Sequence, residues 1–271
     1  MIAYPSISPE IFSIGSLSVR WYGLMYVIGY VIATAIAKSR VRRGLFRGTE
    51  SDVDGLVTYL FVGMLLGARI FYAFVYNFDE YRFEPWRVLY VWQGGLSFHG
   101  AVVGMVSACA LFARRHAKSF YQTTDLLAIS AGPGLFLGRI GNFINGELYG
   151  RATDVPWAMI FPRDPLQTPR HPSQLYQGLT EGLLLWGILF AVQAYLLRRG
   201  RYRDGIIGPL FLIGYGIFRF LTEFAREPDA QLGFVLGSLS MGQVLCVLTA
   251  LAGVATLWHS GTLHKPYVPQ A

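Results

Sequence analysis

Polar residues in this chain come in bursts between long apolar runs. Seven mostly apolar stretches, at 21–37, 55–76, 96–113, 126–144, 175–197, 205–224 and 241–258, are separated by more polar segments. A helix needs roughly 20 mostly apolar residues to cross the ~30 Å hydrocarbon core of a bilayer, and these stretches lie near that length. The pattern predicts an all-α integral membrane protein, with residues 1–271 forming a single seven-helix transmembrane domain. Glycines recur inside the stretches, among them Gly63, Gly67, Gly132 and Gly216, and predict close helix contacts.

Two segments between the helices are long. Residues 77–95 carry Tyr81, Phe83, Trp86, Tyr90 and Trp92, the aromatic content of a membrane-interface segment. Residues 145–174 carry Pro156, Pro162, Pro165, Pro169 and Pro172, which predict an irregular or short-stranded cap. The first 20 residues lack a basic start and a continuous apolar run, so no cleavable signal peptide is expected. Residues 2–19, interrupted by Pro5 and Pro9, are expected to lie along the outer interface.

Composition narrows the class. Only 14% of residues are charged and 53% are hydrophobic, against about 25% charged in an average soluble domain. That shortage of charge excludes a disordered chain. The two cysteines, Cys109 and Cys246, each sit in an apolar stretch and exclude a disulfide scaffold. A net charge of +7 suits nucleic acid only when the basic groups share a solvated face. Here they cluster between apolar stretches, at 38–47, 114–118 and 198–203, so no nucleic-acid partner is expected. With Lys265 these clusters hold thirteen of the 23 basic residues, and the loops on the other side hold seven. The richer side is predicted to be cytoplasmic, with the N-terminus outside and the C-terminus inside.

Three arginines, Arg69, Arg139 and Arg219, fall within the stretches and on their outer halves. A charge in hydrocarbon costs a few kcal/mol or more unless paired or hydrated, which marks each as a functional candidate. Their depth is only about 7 to 11 Å at 1.5 Å per residue, so snorkelling to the interface is the plain alternative for any one of them. Tyr215, Arg219 and Glu223 share a helical face, as do Arg139 and Asn142. Glu223 then either neutralises Arg219 or contacts a ligand. His99 sits near the outer end of its stretch within the segment Gly94 to Gly100, with a structural or a catalytic role open to it. Guanidinium forks match phosphate oxygens and stay charged at any relevant pH, which suggests a phospholipid headgroup site. An anion pathway and structural ion pairing are the alternatives.

Residues 138–150 read Gly-Arg-Ile-Gly-Asn-Phe-Ile-Asn-Gly-Glu-Leu-Tyr-Gly. This run resembles the signature of the bacterial prolipoprotein diacylglyceryl transferases. The resemblance continues at Trp21-Tyr22-Gly23, Gly94 to Gly100, His171 to Tyr176 and Arg219 to Glu223. It implies transfer of a diacylglyceryl group from phosphatidylglycerol to the lipobox cysteine thiol of an exported prolipoprotein, with sn-glycerol-1-phosphate leaving; no cofactor is expected, and the five scattered histidines and two distant cysteines predict no metal site. It places the protein in the bacterial inner membrane, with the active site toward the periplasmic leaflet. Arg139 and Arg219 match the family's essential positions and would stabilise the departing phosphate. His99 would accept the thiol proton, with Tyr215 as a relay. Asn142, Asn145, Glu147 and Gly150 lie in the signature and would bind substrate or set the arginine geometry. Glu223 stands beside Arg219, and Tyr22 would line the donor cavity. Arg69 lies outside the main signature as a supporting residue.

Three other classes compete. A lipid or organophosphate transporter would need polar groups continuing into the inner halves of the helices, where Asp125 and Glu181 are the main buried-looking acids, and no inverted repeat is evident. A hydrolase would need a serine elbow or a zinc motif; Ser97 and His99 are two apart on an expected helix and face different ways. A seven-helix receptor of the retinal type would need a lysine in the last stretch, and there is none.

Overall fold

The computed structural model describes residues 1–15, 17–90, 94–227, 234–236 and 239–260. Every apolar stretch lies on a helix. These are α1 (Trp21–Arg42), α2 (Glu50–Tyr76), α3 (Phe98–Arg115), α4 (Phe120–Ile144), α5 (Ser173–Arg198), α6 (Ile207–Glu223) and α7 (Met241–His259). Five of them, α1, α2, α4, α5 and α7, are long and apolar enough to cross a bilayer. The protein is therefore mostly helical and of the multi-pass membrane type.

Several helices extend beyond their apolar cores because the flanking polar residues find partners. α1 runs on through Arg40 and Arg42, cations that suit a helix C-terminus. α2 starts five residues before its apolar stretch, where Thr49 and Asp52 form a reciprocal capping box. α4 starts six residues early, through the buried Gln122, Thr123 and Asp125.

The chain forms two compact units, Ala37–Thr124 on one hand and Met1–Ile36 with Asp125–Ala271 on the other. In the first, α2 and α3 meet through Gly63 and Gly67 against Gly100 and Gly104. A Cβ on Gly67 would lie 2.7 Å from the Gly104 Cα, and one on Gly63 2.7 Å from the Ala108 Cβ. Small residues four apart on both helices let the backbones touch, the main source of helix attraction in lipid. Arg69, only 3% exposed, reaches from α2 to the carbonyls of Arg87, Val88, Tyr90, Gly94 and Gly95. Gly94 and Gly95 supply those carbonyls from backbone with φ of 82° and 76°, a region open to glycine. The aromatic segment predicted at 77–95 contains one helical turn, Phe78–Tyr81, and a 3₁₀ turn, Pro85–Leu89; Val91, Trp92 and Gln93 lie outside the described residues.

In the second unit a short antiparallel hairpin, β1 (Glu10–Ile14) with β2 (Leu17–Arg20), precedes α1. Within α4, Pro133 has no N–H to give the Ile129 carbonyl one turn earlier. The Trp186 indole of α5 donates to that carbonyl at 2.9 Å instead. Asp125, near the start of α4, accepts from the backbone N–H groups of Gly205 at 2.7 Å and Gly208 at 2.6 Å, satisfying donors that the α6 N-terminus leaves open. Between α4 and α5 the chain forms two short strands, β3 (Met159–Ile160) paired with β4 (Pro169–Arg170). A further pair, β5 (Phe234–Leu236) with β6 (Leu239–Ser240), leads into α7.

Candidate active site

α4, α5 and α6 bring together the charges that the sequence scatters. α5 passes through a π-helical segment, Gly178–Leu184, whose wider turn carries Glu181; such irregularities gather at functional sites. Glycines flank the turn and let it press on α4. A Cβ on Gly178 would lie 3.3 Å from the Arg139 Cβ, and one on Gly182 2.8 Å from the Phe136 nitrogen.

Glu181 is 2% exposed and stands between two arginines. Its Oε2 lies 3.8 Å from Arg139 Nη2 and its Oε1 3.8 Å from Arg219 Nη1. The Thr222 hydroxyl donates to Oε1 at 2.8 Å. Arg219 also pairs with Glu223 at 2.7 Å, one helical turn on. Glu223 in turn faces Arg226 at 3.8 Å and accepts from the Ser240 hydroxyl at 3.2 Å. Three guanidinium groups thus stand against two carboxylates. Arg219 Nη1 is buried and has no hydrogen-bond acceptor among the described residues. A cation-rich cluster with an unmet donor suits an anion.

A second polar group adjoins the end of α4. Asn142 and Asn145 both donate to Glu147 Oε1, at 2.9 and 3.1 Å, and Arg163 approaches Oε2 at 3.4 Å. Gln174 donates to the Glu147 carbonyl at 2.6 Å. Tyr22 packs its ring on Gly141, where a Cβ would lie 2.9 Å from Tyr22 Cδ2, and shares a 2.9 Å hydrogen bond with Tyr26.

The short strands beside this group are held by one strong pair. Arg170 donates to Asp164 at 2.6 and 3.0 Å, both side chains being buried. That guanidinium, with help from backbone N–H groups, holds the Asp164 carboxyl down at about 2. Gly150 bridges Arg226 and hydrogen-bonds through its N–H to the His171 carbonyl at 2.8 Å. A side chain there would strike the Ala225 carbonyl and His171, so Gly150 is a packing point between chain segments. Tyr176 accepts from the Trp157 indole at 2.6 Å and lies 3.2 Å from His171 Nδ1. Burial lowers the His171 pKa, which keeps the ring neutral at pH 7.

The sequence-predicted residues therefore fall into distinct places. Arg139, Arg219 and Glu223 meet in one cluster, and Tyr215 is an electrostatic neighbour of Arg139, Arg219 and Glu181. Asn142, Asn145 and Glu147 form a hydrogen-bonded trio. His99 falls in the first turn of α3, and its side chain lies outside the described residues. Arg69 is committed to five carbonyls in the Ala37–Thr124 unit. The sequence reading noticed Glu181 only as a buried acid and gave Arg226 no site role. A lone carboxylate between two glycines in an apolar helix was the available signal.

Apolar helices long enough to span a bilayer, beside an arginine-rich cluster, define a multi-pass membrane protein with a polar site among its helices. The chain matches the family model described as prolipoprotein diacylglyceryl transferase over residues 9–259. It is 47% identical over 259 residues, 95% of each chain, to the phosphatidylglycerol–prolipoprotein diacylglyceryl transferase of Pseudomonas aeruginosa. Proteins of the same name from Azospirillum brasilense (46%, covering 93% of this chain and 94% of that one) and Vibrio vulnificus (46%, covering 94% and 92%) are similarly related. The chain belongs to the prolipoprotein diacylglyceryl transferase family.

Proposed function

We propose that the protein transfers the sn-1,2-diacylglyceryl group of phosphatidylglycerol to the lipobox cysteine of exported prolipoproteins, the first step of lipoprotein maturation. The observation that carries this reading is the Arg139 and Arg219 pair sharing one carboxylate inside an apolar helix cluster. The thiolate sulfur attacks the glyceryl carbon and forms a thioether as the carbon–oxygen bond to phosphate breaks. The bonding electrons leave on sn-glycerol-1-phosphate, so a phosphodiester with one negative charge becomes a monoester with nearly two. A unit charge about 4 Å from a fixed cation gains ~4 kcal/mol at an effective dielectric of ~20. Arg139 and Arg219 act on that developing charge, the kind of preorganised stabilisation that contributes most in a water-poor site.

A thiol with pKa near 8.5 is mostly protonated at neutral pH. His99 accepts its proton, an assignment resting on its place in the segment Gly94 to Gly100. Asn142, Asn145 and Glu147 hold headgroup hydroxyls and the end of α4. All seven helices cross the inner membrane, the N-terminus is periplasmic, the C-terminus is cytoplasmic, and residues 77–95 and 145–174 lie on the periplasmic side. This topology is supported by the distribution of lysine and arginine.

The test is transfer from labelled phosphatidylglycerol to a synthetic lipobox peptide in detergent with a chelator present, comparing the protein with Arg139→Ala. A lipidated cysteine and released glycerol phosphate, both lost in a folded variant, are expected. Lipid consumed without peptide modification would identify a hydrolase instead. Normal turnover by Arg139→Ala would overturn the leaving-group role.

A further inference from the structure

The three arginines of the apolar stretches are held in two different ways. Arg69 spends its donors on five backbone carbonyls, and Arg170 of the short strands is locked to Asp164 by two short hydrogen bonds. Both are saturated, as structural arginines are. Arg139 and Arg219 instead face Glu181 at 3.8 Å, beyond hydrogen-bond length, one on each carboxylate oxygen. The carboxylate attracts both cations without consuming their donors, and Arg219 Nη1 has no acceptor among the described residues.

Glu181 itself has little freedom. The Thr222 hydroxyl fixes Oε1 at 2.8 Å. The π-helical turn that carries it is pressed against Phe136 and Arg139 through Gly178 and Gly182. A regular α-helical turn would change the direction in which residue 181 projects, and a larger residue at 182 would collide with the α4 backbone.

We infer that Glu181 is a positioning residue for the transfer reaction: it aims both guanidinium groups at the phosphate and tempers their charge. This rests on the proposed transferase activity. The two effects act on different kinetic constants. Removing the negative charge makes the cluster more cationic, so the anionic lipid binds more tightly before reaction. Removing the anchor frees Arg139, whereas Arg219 keeps Glu223 at 2.7 Å, and misplacement by about 1 Å costs on the order of a hundredfold in rate. Glu181→Gln is therefore expected to lower kcat about ten- to a hundredfold while lowering KM for phosphatidylglycerol, the sign that ground-state binding rose as transition-state complementarity fell. Inhibition by added glycerol phosphate strengthens in the same variant. Glu181→Asp retains the charge one methylene further back, and is expected to recover part of kcat with KM near that of the parent.

The experiment is steady-state transfer to the lipobox peptide over a range of phosphatidylglycerol concentrations for the parent, Glu181→Gln and Glu181→Asp, each checked for monodispersity in detergent. Parallel falls in kcat and KM for the glutamine variant, with partial rescue by aspartate, support the inference. Unchanged constants, or a lower kcat with KM unchanged or raised, overturn it. If the glutamine variant does not fold, the aspartate variant decides: a partial fall in kcat at the parent KM supports the role, and unchanged constants or complete loss of turnover in a folded protein overturn it. Absence of transfer by the parent itself defeats the transferase reading instead.

Discussion

Replacing Asp164 by Asn tests whether the short-stranded region between α4 and α5 depends on one ion pair. Asp164 is 1% exposed and accepts from Arg170 twice, from the Thr168 hydroxyl and from the N–H groups of Leu166 and Thr168. Its carboxyl is held at about 2, down from 3.8. A folded pKa below the unfolded one means stability that is fully present above about pH 4 and is lost as pH falls toward 2. At about 1.4 kcal/mol per unit, with some discount for screening in a thin layer of chain, the link contributes about 2 kcal/mol. Substitution at pH 7 costs more, about 3 kcal/mol, because Arg170 is left buried with Glu227, 3.1 Å away and half exposed, as its remaining carboxylate among the described residues. Thermal unfolding in detergent, followed from pH 7 to pH 2.5, should show the variant less stable at pH 7 and the gap to the parent closing by about 1 to 1.5 kcal/mol by pH 2.5. A gap that is absent at pH 7, or that stays constant to pH 2.5, would refute the reasoning.

Arg69→Ala strands five carbonyls that each received a charge-assisted hydrogen bond, and should open the chain at residues 85–90 to limited proteolysis while leaving distant helices protected. Arg219→Lys keeps the charge but loses the planar fork, and transfer to lipobox peptide should fall a hundredfold or more in a protein that still purifies as a folded species. Gly67→Ala forces a methyl against the Gly104 backbone and should destabilise by about 1 to 3 kcal/mol in thermal melts. Gly187→Ala, where a Cβ meets nothing within 4 Å, should leave the melting temperature unchanged.

Much of the helix layout was legible because spanning a bilayer imposes length and apolarity on the sequence itself. One local pair was legible too: Arg219 with Glu223 follows from helical spacing, whereas the hydrogen bond of Asn142 to Glu147 was not read from the sequence. Contacts between distant segments were not. Asp125 looked like a stray acid until the start of α6, some 80 residues later, was seen to need its carboxylate. Arg69 was placed outside the signature as a supporting residue, but that its donors go to backbone carbonyls shows only in the placement of residues 87, 88, 90, 94 and 95. Gly150 matched the family signature, but its need for a bare Cα comes from Ala225 and His171. The position of Glu181 depends on a π-helical turn, which apolar periodicity does not encode.

The proline in α4 imposes an order on biosynthesis. When α4 leaves the ribosome, the Ile129 carbonyl freed by Pro133 has no native donor, and Trp186 follows 57 residues later. An unpaired carbonyl in hydrocarbon costs several kcal/mol. The native hydrogen bond to that carbonyl is therefore made only once α5 has been inserted beside α4, which joins these two helices as one unit of membrane assembly.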